Sequence, residues 1–250
     1  MNKYRTGKRP ARPGAIRHKF SSLFDASALP VPPPVFGRTS YFPEDGWGIL
    51  GNDEAGCCVL SGGDHETMLL NALGGKGAPT FTKANTWADY SAITGFDPAQ
   101  FDAKGGNPTD QGTDMVEAAK YRQSIGLIDA AGVRHKIDGF VSLHAGDVEQ
   151  VTLAAYLFGA VGVGVNLTRQ CEDQFDANEP WAMTSKPGNE GGHYVPVVGS
   201  MTSSKRCETV STTSKRRSST AKSEIWCSRY RTRRVSSLPS STRCLSMRRY

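Results

Sequence analysis

No apolar run in the 250 residues approaches the roughly 20 that a membrane-spanning helix requires. The first twenty residues, MNKYRTGKRPARPGAIRHKF, are basic with no apolar stretch behind them, so no secretory leader is expected and the chain reads as soluble and cytoplasmic. Paired cysteine spacing is missing too. The six cysteines include no C-x-x-C, and HETML at residues 65–69 lacks the second histidine of H-E-x-x-H, which argues against a disulfide framework and against a metal site. Reduced thiols and no cofactor are expected. GGKGAP at residues 74–79 lacks the Ser or Thr of a phosphate loop and reads as a turn.

The absences are sharpest in the last fifty residues, which contain no Gly, Asp, Asn, Gln, His or Phe although the first 200 hold all 27 glycines. This tail carries 13 of the 30 Lys and Arg and only two of the 24 acids, Glu208 and Glu224, so it is +11 while the preceding 200 residues are −5. Three readings stand open. A Ser/Arg-rich arm neutralises nucleic-acid phosphates and orders on binding; a solvated tail has no partner; or shifted codons of a G+C-rich gene produced a segment with no hydrophobic period. The composition breaks off inside what reads as a strand, HYVPVVGS, which fits the third. The expected organisation is a disordered basic arm over residues 1–27, a domain over 28–200, and a disordered or out-of-frame tail over 201–250.

Within the domain the pattern is orderly. LPVPPPVFG at residues 29–37 predicts an extended, surface-lying lead-in, since the prolines fix φ and remove donors. Apolar spacing predicts helices over 58–73 and 83–94, each stopped by glycine. A third helix starts at Thr113 or Asp114, with Glu117 placed to complete a capping box, and ends at Gly126; Met115, Ala118, Ala119 and Arg122 share one of its faces. A strand over 136–143, a helix over 147–158 and strands over 160–167 and 191–200 follow. Helices first and strands later predict an α+β domain with an antiparallel sheet.

Two adjacent cysteines stand on a glycine-flanked turn at the first of these helix starts, in WGILGNDEAGCCVLSGGDHETMLL (residues 47–70). A thiol at a helix N-terminus is favoured as thiolate by unpaired N–H groups and by the helix dipole, and more so by an imidazolium partner. Of the five histidines, His65 lies on the same helix about 10 Å along the axis, too far for pairing, and reads as a packing or hydrogen-bonding residue. His18 sits in the basic arm, and His135 and His144 flank the strand over 136–143 without ligand-like spacing. His193 follows two glycines and opens an apolar strand, which would hold an imidazole rigidly at a sheet end. Asn52, six residues before Cys58, is placed to reach back beside the Cys58 N–H as an oxyanion donor. Its neighbour Asp53 reads either as a loop-fixing acid or as a solvated turn.

A side-chain amide six residues before a cysteine that starts a long helix, followed far downstream by a Gly-His-apolar strand, resembles the layout of papain-like cysteine peptidases, with Asn52 in place of the family's glutamine. GTDMVEAAKYRQSIGLID (112–129) resembles the family's second helical region, and LFGAVGVGVNL (157–167) its Gly-Pro-Val-type strand. Gly51, Asn52, Asp53, Gly56 and Cys58 match the Gly-Asn-Asp-x-x-Gly-Asp-Cys motif of a group of phage and bacterial papain-like proteins; position 57 is Cys where that group has Asp. The resemblance covers roughly residues 28–200 and implies a papain-like fold and acyl transfer to a peptide or amide substrate. Cys58 would be the nucleophile, His193 the base and Asn52 the oxyanion donor, with Cys57 a bystander. The family also places Asn or Asp on the strand after the histidine to orient the ring. Nothing here matches it, since Glu208, the only acid near that distance, lies in the tail. The alternatives are an inactive papain-like structural or binding protein of phage origin, which would be virion-associated, and a nucleic-acid-binding protein using the basic tail.

Overall fold

The computed structural model describes residues 5–10, 12, 14–16, 18–43, 46–177, 179–181, 190–201, 206–209 and 224–225. Side chains that accept orphan amide protons start most of the helices. Thr82 accepts from the Asn85 N–H to open α3 (Lys83–Thr94), and Asn85 returns the bond, closing a capping box. Asp114 accepts from the Val116 and Glu117 N–H groups to open α4 (Met115–Ser124), Asp147 caps α5 (Val148–Phe158), and Thr168 caps α6 (Arg169–Asp176). The exception among described helices of eight residues or more is α2 (Cys58–Leu73), whose cap position, Cys57, makes no side-chain capping bond. A four-residue turn of helix, α1 (Phe20–Leu23), precedes them.

The sheet is organised by β5 (Gly192–Met201). It pairs antiparallel with β4 (Val161–Asn166), with β1 (Val35–Gly37) and with β6 (Arg206–Thr209), and β7 (Glu224–Ile225) adds a parallel pair to β6. A separate hairpin joins β2 (Leu127–Ile128) to β3 (Arg134–His135). Alternation along β5 divides the core. Tyr194 and Val198 pack on the helical side with Leu60, Leu69 and Tyr90, whereas Val195 packs with Val165, Leu167, Cys171 and Trp181, and Val197 with Phe36 and Ala155. The architecture is the α+β class with antiparallel pairing around β5 that the pattern predicts. Among the described residues no helix is long and apolar enough to cross a membrane.

Three local expectations need correction. Glu117 does not close the capping box of α4; its carboxylate instead pairs with Arg12 at 2.7 Å and Lys120 at 3.2 Å. Residues 136–143 form no regular strand; among the described residues their one ladder contact is an isolated bridge from Ser142 to Lys19, and no described strand lies beside them to offer a register. The helix α6 was not expected, since RQCEDQFD is polar nearly throughout. The proline-rich lead-in does run along the surface, and its last three residues become β1 by pairing with residues 199–201. Most of residues 201–250, on which the three readings of the tail fall, lies outside the described residues.

Candidate active site

Cys58 is the first residue of α2 and is buried, with 2 % of its surface exposed. With no side chain capping this end, the first-turn amides are left to other partners. Burial pushes the Cys58 thiol up to about 11 against the opposing pull of backbone N–H groups from Tyr194, Gly7, Val59 and Lys8. Dehydration outweighs the helix end, so the covered thiol is neutral at physiological pH. Cys57 is turned away from this place: its sulfur lies 3.5 Å from the Ser61 hydroxyl and 4.0 Å from the Leu50 carbonyl oxygen, and burial pushes its thiol up to about 12.

His193 stands in register with Val165, at the start of β5. Its parity along the strand is that of Val195 and Val197, and its ring lies 6.4 Å from the Trp181 ring in a T-shaped arrangement. Tyr194, not His193, points to α2, where its hydroxyl donates to Glu66 at 2.5 Å. The thiol of Cys58 therefore meets the backbone one residue beyond the histidine, and among the described residues no hydrogen bond joins thiol to imidazole. Burial pushes His193 down to about 4, and its Nδ1 is buried with no partner among the described residues. Among the described residues no acid or amide takes the orienting position next to His193.

Asn52 lies in the turn before α2, with its N–H donating to the Ile49 carbonyl at 3.1 Å and its Oδ1 buried and unpartnered among the described residues. Asp53 is exposed and does not fix this loop. Asp110 does: both of its carboxylate oxygens accept from the Gly56 N–H, at 3.0 and 2.9 Å, and one also accepts from the Tyr90 hydroxyl at 2.6 Å. The Tyr90 oxygen in turn accepts from the Gly112 N–H at 2.9 Å. Asp110 thereby ties the loop before the cysteine to the loop before α4. Its role was not legible in the sequence, since a lone Asp in a Gly/Asn/Pro-rich loop carries no partner signal.

A second unforeseen group is the N-terminal segment. The Gly7 and Lys8 N–H groups donate to the Gly192 carbonyl at 3.1 and 2.9 Å. On the opposite wall the Thr113 N–H donates to the Gly7 carbonyl at 2.6 Å, and the Arg9 N–H to the Thr113 carbonyl at 2.9 Å. Arg12 anchors the far end by its pairs with Asp114 at 2.6 Å and Glu117 at 2.7 Å. The segment thus crosses between the loop before α4 and the start of β5, over Cys58.

The remaining histidines take structural places. His65 Nε2 lies 3.1 Å from the Gly48 carbonyl oxygen and its ring lies 5.8 Å from the Trp47 ring, tilted by 38°, as a packing residue should. His135 Nε2 lies 2.8 Å from Asp129 Oδ2, and the described residues include no cluster of three metal-ligating side chains. Burial pushes His65, like His193, down to about 4. The unfolded chain therefore binds more protons at these sites as pH falls from about 6.5 toward 4, and stability present above that window is lost across it. Asp64, raised by burial, acts with the opposite sign, so the contribution is read as a difference. In urea titrations at pH 7 and pH 4.5, the His65→Gln variant should lose about 1–2 kcal/mol less than the parent, below the full 1.36 kcal/mol per unit because the ring keeps some solvent contact. Equal losses would remove His65 from the acid response.

The sequence matches no protein-family model and no curated relative. Among solved structures the chain is similar to xylellain, a cysteine protease from Xylella fastidiosa, at 14 % identity over 81 % of this chain and 82 % of that one, with a TM-score of 0.48. It is also similar to a structure concerned with antibody cross-reactivity between the mite allergens Blo t 1 and Der p 1, at 16 % identity over 70 % of this chain and 58 % of that one, with a TM-score of 0.46.

Proposed function

We propose that the chain is a cysteine-nucleophile hydrolase of papain-like type, a peptidase or amidase acting by acyl transfer. The observation that carries this reading is the convergence on one spot of an uncapped 16-residue helix, its first residue Cys58, and the N–H of Tyr194 beside His193. In the reaction the Cys58 sulfur attacks the carbonyl carbon of a peptide or amide while the His193 ring, which packs beside Trp181 in this structure, turns toward the sulfur and takes the thiol proton. The imidazolium then returns that proton to the leaving amine; water, deprotonated by the same ring, attacks the acyl carbon, the C–S bond breaks to release the acid, and the ring passes its proton back to the Cys58 sulfur. The Cys58 N–H and the Asn52 side-chain amide stabilise the oxyanion. An aqueous cytoplasmic setting, or a virion if the gene is of phage origin, suits this chemistry.

A second reading draws on the same site. A protonated thiol, a neutral imidazole and an Nδ1 without a partner among the described residues suit a papain-like structural or binding protein without activity. Alkylation by iodoacetamide, followed against pH with peptide mapping, separates the two. The value of about 11 belongs to the covered thiol; alkylation samples the uncovered one. If Cys58 reacts with a midpoint well below the ordinary thiol range of about 8.5, and His193→Ala moves it back to that range, the pair forms and the hydrolase reading stands. Identical midpoints in parent and variant would favour the inactive protein. The nucleic-acid reading depends on residues 201–250 and predicts salt-dependent binding that their deletion abolishes.

A further inference from the structure

The chain reverses direction just before the two cysteines. Leu50 and Gly51 both take positive φ, 55° and 81°, and the Asn52 N–H closes the turn on the Ile49 carbonyl at 3.1 Å. Two left-handed central residues are the pattern of a type I′ turn, whose first central place normally goes to Asn, Asp or Gly. Leucine is kept there by burial: its side chain belongs to the same buried cluster as Leu60 and Tyr90, which offsets the strain.

Helix α3 grips the rest of this turn. The Gly51 carbonyl accepts from the Glu54 N–H at 3.2 Å, from the Ala55 N–H at 3.1 Å and, from across the fold, from the Trp87 indole N–H at 3.3 Å. The indole is itself fixed. Its ring centroid lies 5.4 Å from that of Phe96 and 5.7 Å from that of Phe101, and Lys83 Nζ sits 4.2 Å over it while pairing with the Glu54 carboxylate at 2.6 Å. No gap is left at the contact, since a Cβ at Gly51 would overlap Trp87 Nε1 and come within 2.9 Å of Lys83 Cγ. Trp87 and Lys83, one turn apart on α3, thus hold the chain on both sides of Asn52, by the carbonyl before it and a carboxylate after it.

Asn52 stands between these two grips. Its Oδ1 is buried and makes no hydrogen bond among the described residues, so its direction is set by the backbone on either side. Building on the reading of Asn52 as the oxyanion donor of a cysteine hydrolase, we propose that Trp87 is a positioning residue for acyl transfer: its indole N–H fixes the Gly51 carbonyl, and with it the Asn52 amide against the oxyanion formed beside Cys58. Lys83 steadies the other flank through Glu54. Preorganised donors act where charge develops in the transition state, so the grip tells on addition to a carbonyl and not on the thiol itself.

Two reagents separate these steps in the full chain. With iodoacetamide the Cys58 sulfur displaces iodide from a saturated carbon, and no oxyanion forms. With p-nitrophenyl acetate the sulfur adds to the carbonyl carbon through an oxyanion, p-nitrophenolate leaves, and the acetyl group stays on the sulfur. Whatever covers the sulfur or sets its protonation enters both rates alike. The ratio of acylation to alkylation, with the rate of Cys58→Ala subtracted from each, therefore reads the oxyanion site.

Trp87→Phe keeps the ring and drops the N–H. It should lower the ratio about tenfold, less than the hundredfold or so that loss of a whole oxyanion donor costs, and leave alkylation within about twofold of the parent. Asn52→Ala should lower the ratio further, and adding Trp87→Phe to it should change nothing more. If Trp87→Phe fails to fold, Lys83→Met, an exposed change that releases Glu54, serves in its place with a fall of about threefold, within the range of an exposed ion pair. An unchanged ratio in the variant that folds, or an equal fall in both rates, would overturn the positioning role. So would a further fall on the Asn52→Ala background, because Trp87 would then act by another route. Those results leave the ratios of the parent and Asn52→Ala apart, and the hydrolase reading intact. A parent ratio no higher than that of N-acetylcysteine and unmoved by Asn52→Ala sinks the hydrolase reading, and the positioning role with it.

Discussion

Arg122→Met is expected to lower the stability of the fold by about 3–5 kcal/mol, the cost of breaking a buried ion pair from one side. Arg122 on α4 donates to Glu66 on α2 at 2.6 Å, and the side chains are 11 % and 9 % exposed. The other Glu66 oxygen accepts from the Tyr194 hydroxyl of β5, so one carboxylate joins two helices and the central strand. Without Arg122 that carboxylate stays dehydrated with a neutral donor alone, and it must ionise at a cost or take up a proton. The double variant Glu66→Gln with Arg122→Met removes the stranded charge and should recover a large part of the loss. Denaturant midpoints with unchanged slopes report both effects. A single variant within 1 kcal/mol of the parent would show that the pair carries no such load.

Asp110→Ala should be the next most damaging change, at about 3 kcal/mol, because two donors, the Gly56 N–H shared by both carboxylate oxygens and the Tyr90 hydroxyl, lose a charged acceptor together. The Gly56 N–H and the Tyr90 hydroxyl would both be stranded, and the Tyr90 side chain is buried in the helical core. The loss also reaches the cleft, since Gly56 lies against Gly7 and precedes the two cysteines. Asp110→Asn keeps one acceptor for the Gly56 N–H and turns a donor toward Tyr90, whose hydroxyl can rotate, so it should lose roughly half as much. If the alanine and asparagine variants unfold at the same denaturant concentration as the parent, the loop is held by packing and not by this carboxylate.

What was legible in the sequence was local. Helices α2 to α5 and strands β4 and β5 lie where apolar spacing, capping residues and glycine stops put them, because each signal acts within about one turn of helix or a few residues of strand. Arg122 could be placed on the mostly apolar face of α4 from spacing alone. Its partner could not, since Glu66 is 56 positions away and nothing in HETML marks that glutamate as buried. The failures share a cause. Residues 136–143 alternate well enough for a strand but have no strand beside them among the described residues, and α6 buries only a narrow stripe that includes Cys171 and Glu172.

The sequence by itself determined that Cys58 begins a helix, that His193 opens an apolar strand and that Asn52 lies in the turn between Gly51 and the cysteines. Each depends on residues close by in the chain. Only the tertiary structure decided that Tyr194 faces α2 while His193 takes the other parity, because the face a strand presents is set by what its sheet packs against. It alone placed residues 5–9 over the thiol. Charge had set that segment apart as a basic arm, but its seat is made by glycine backbones from distant parts of the chain, and a glycine has no side chain by which a sequence could announce the partner it admits.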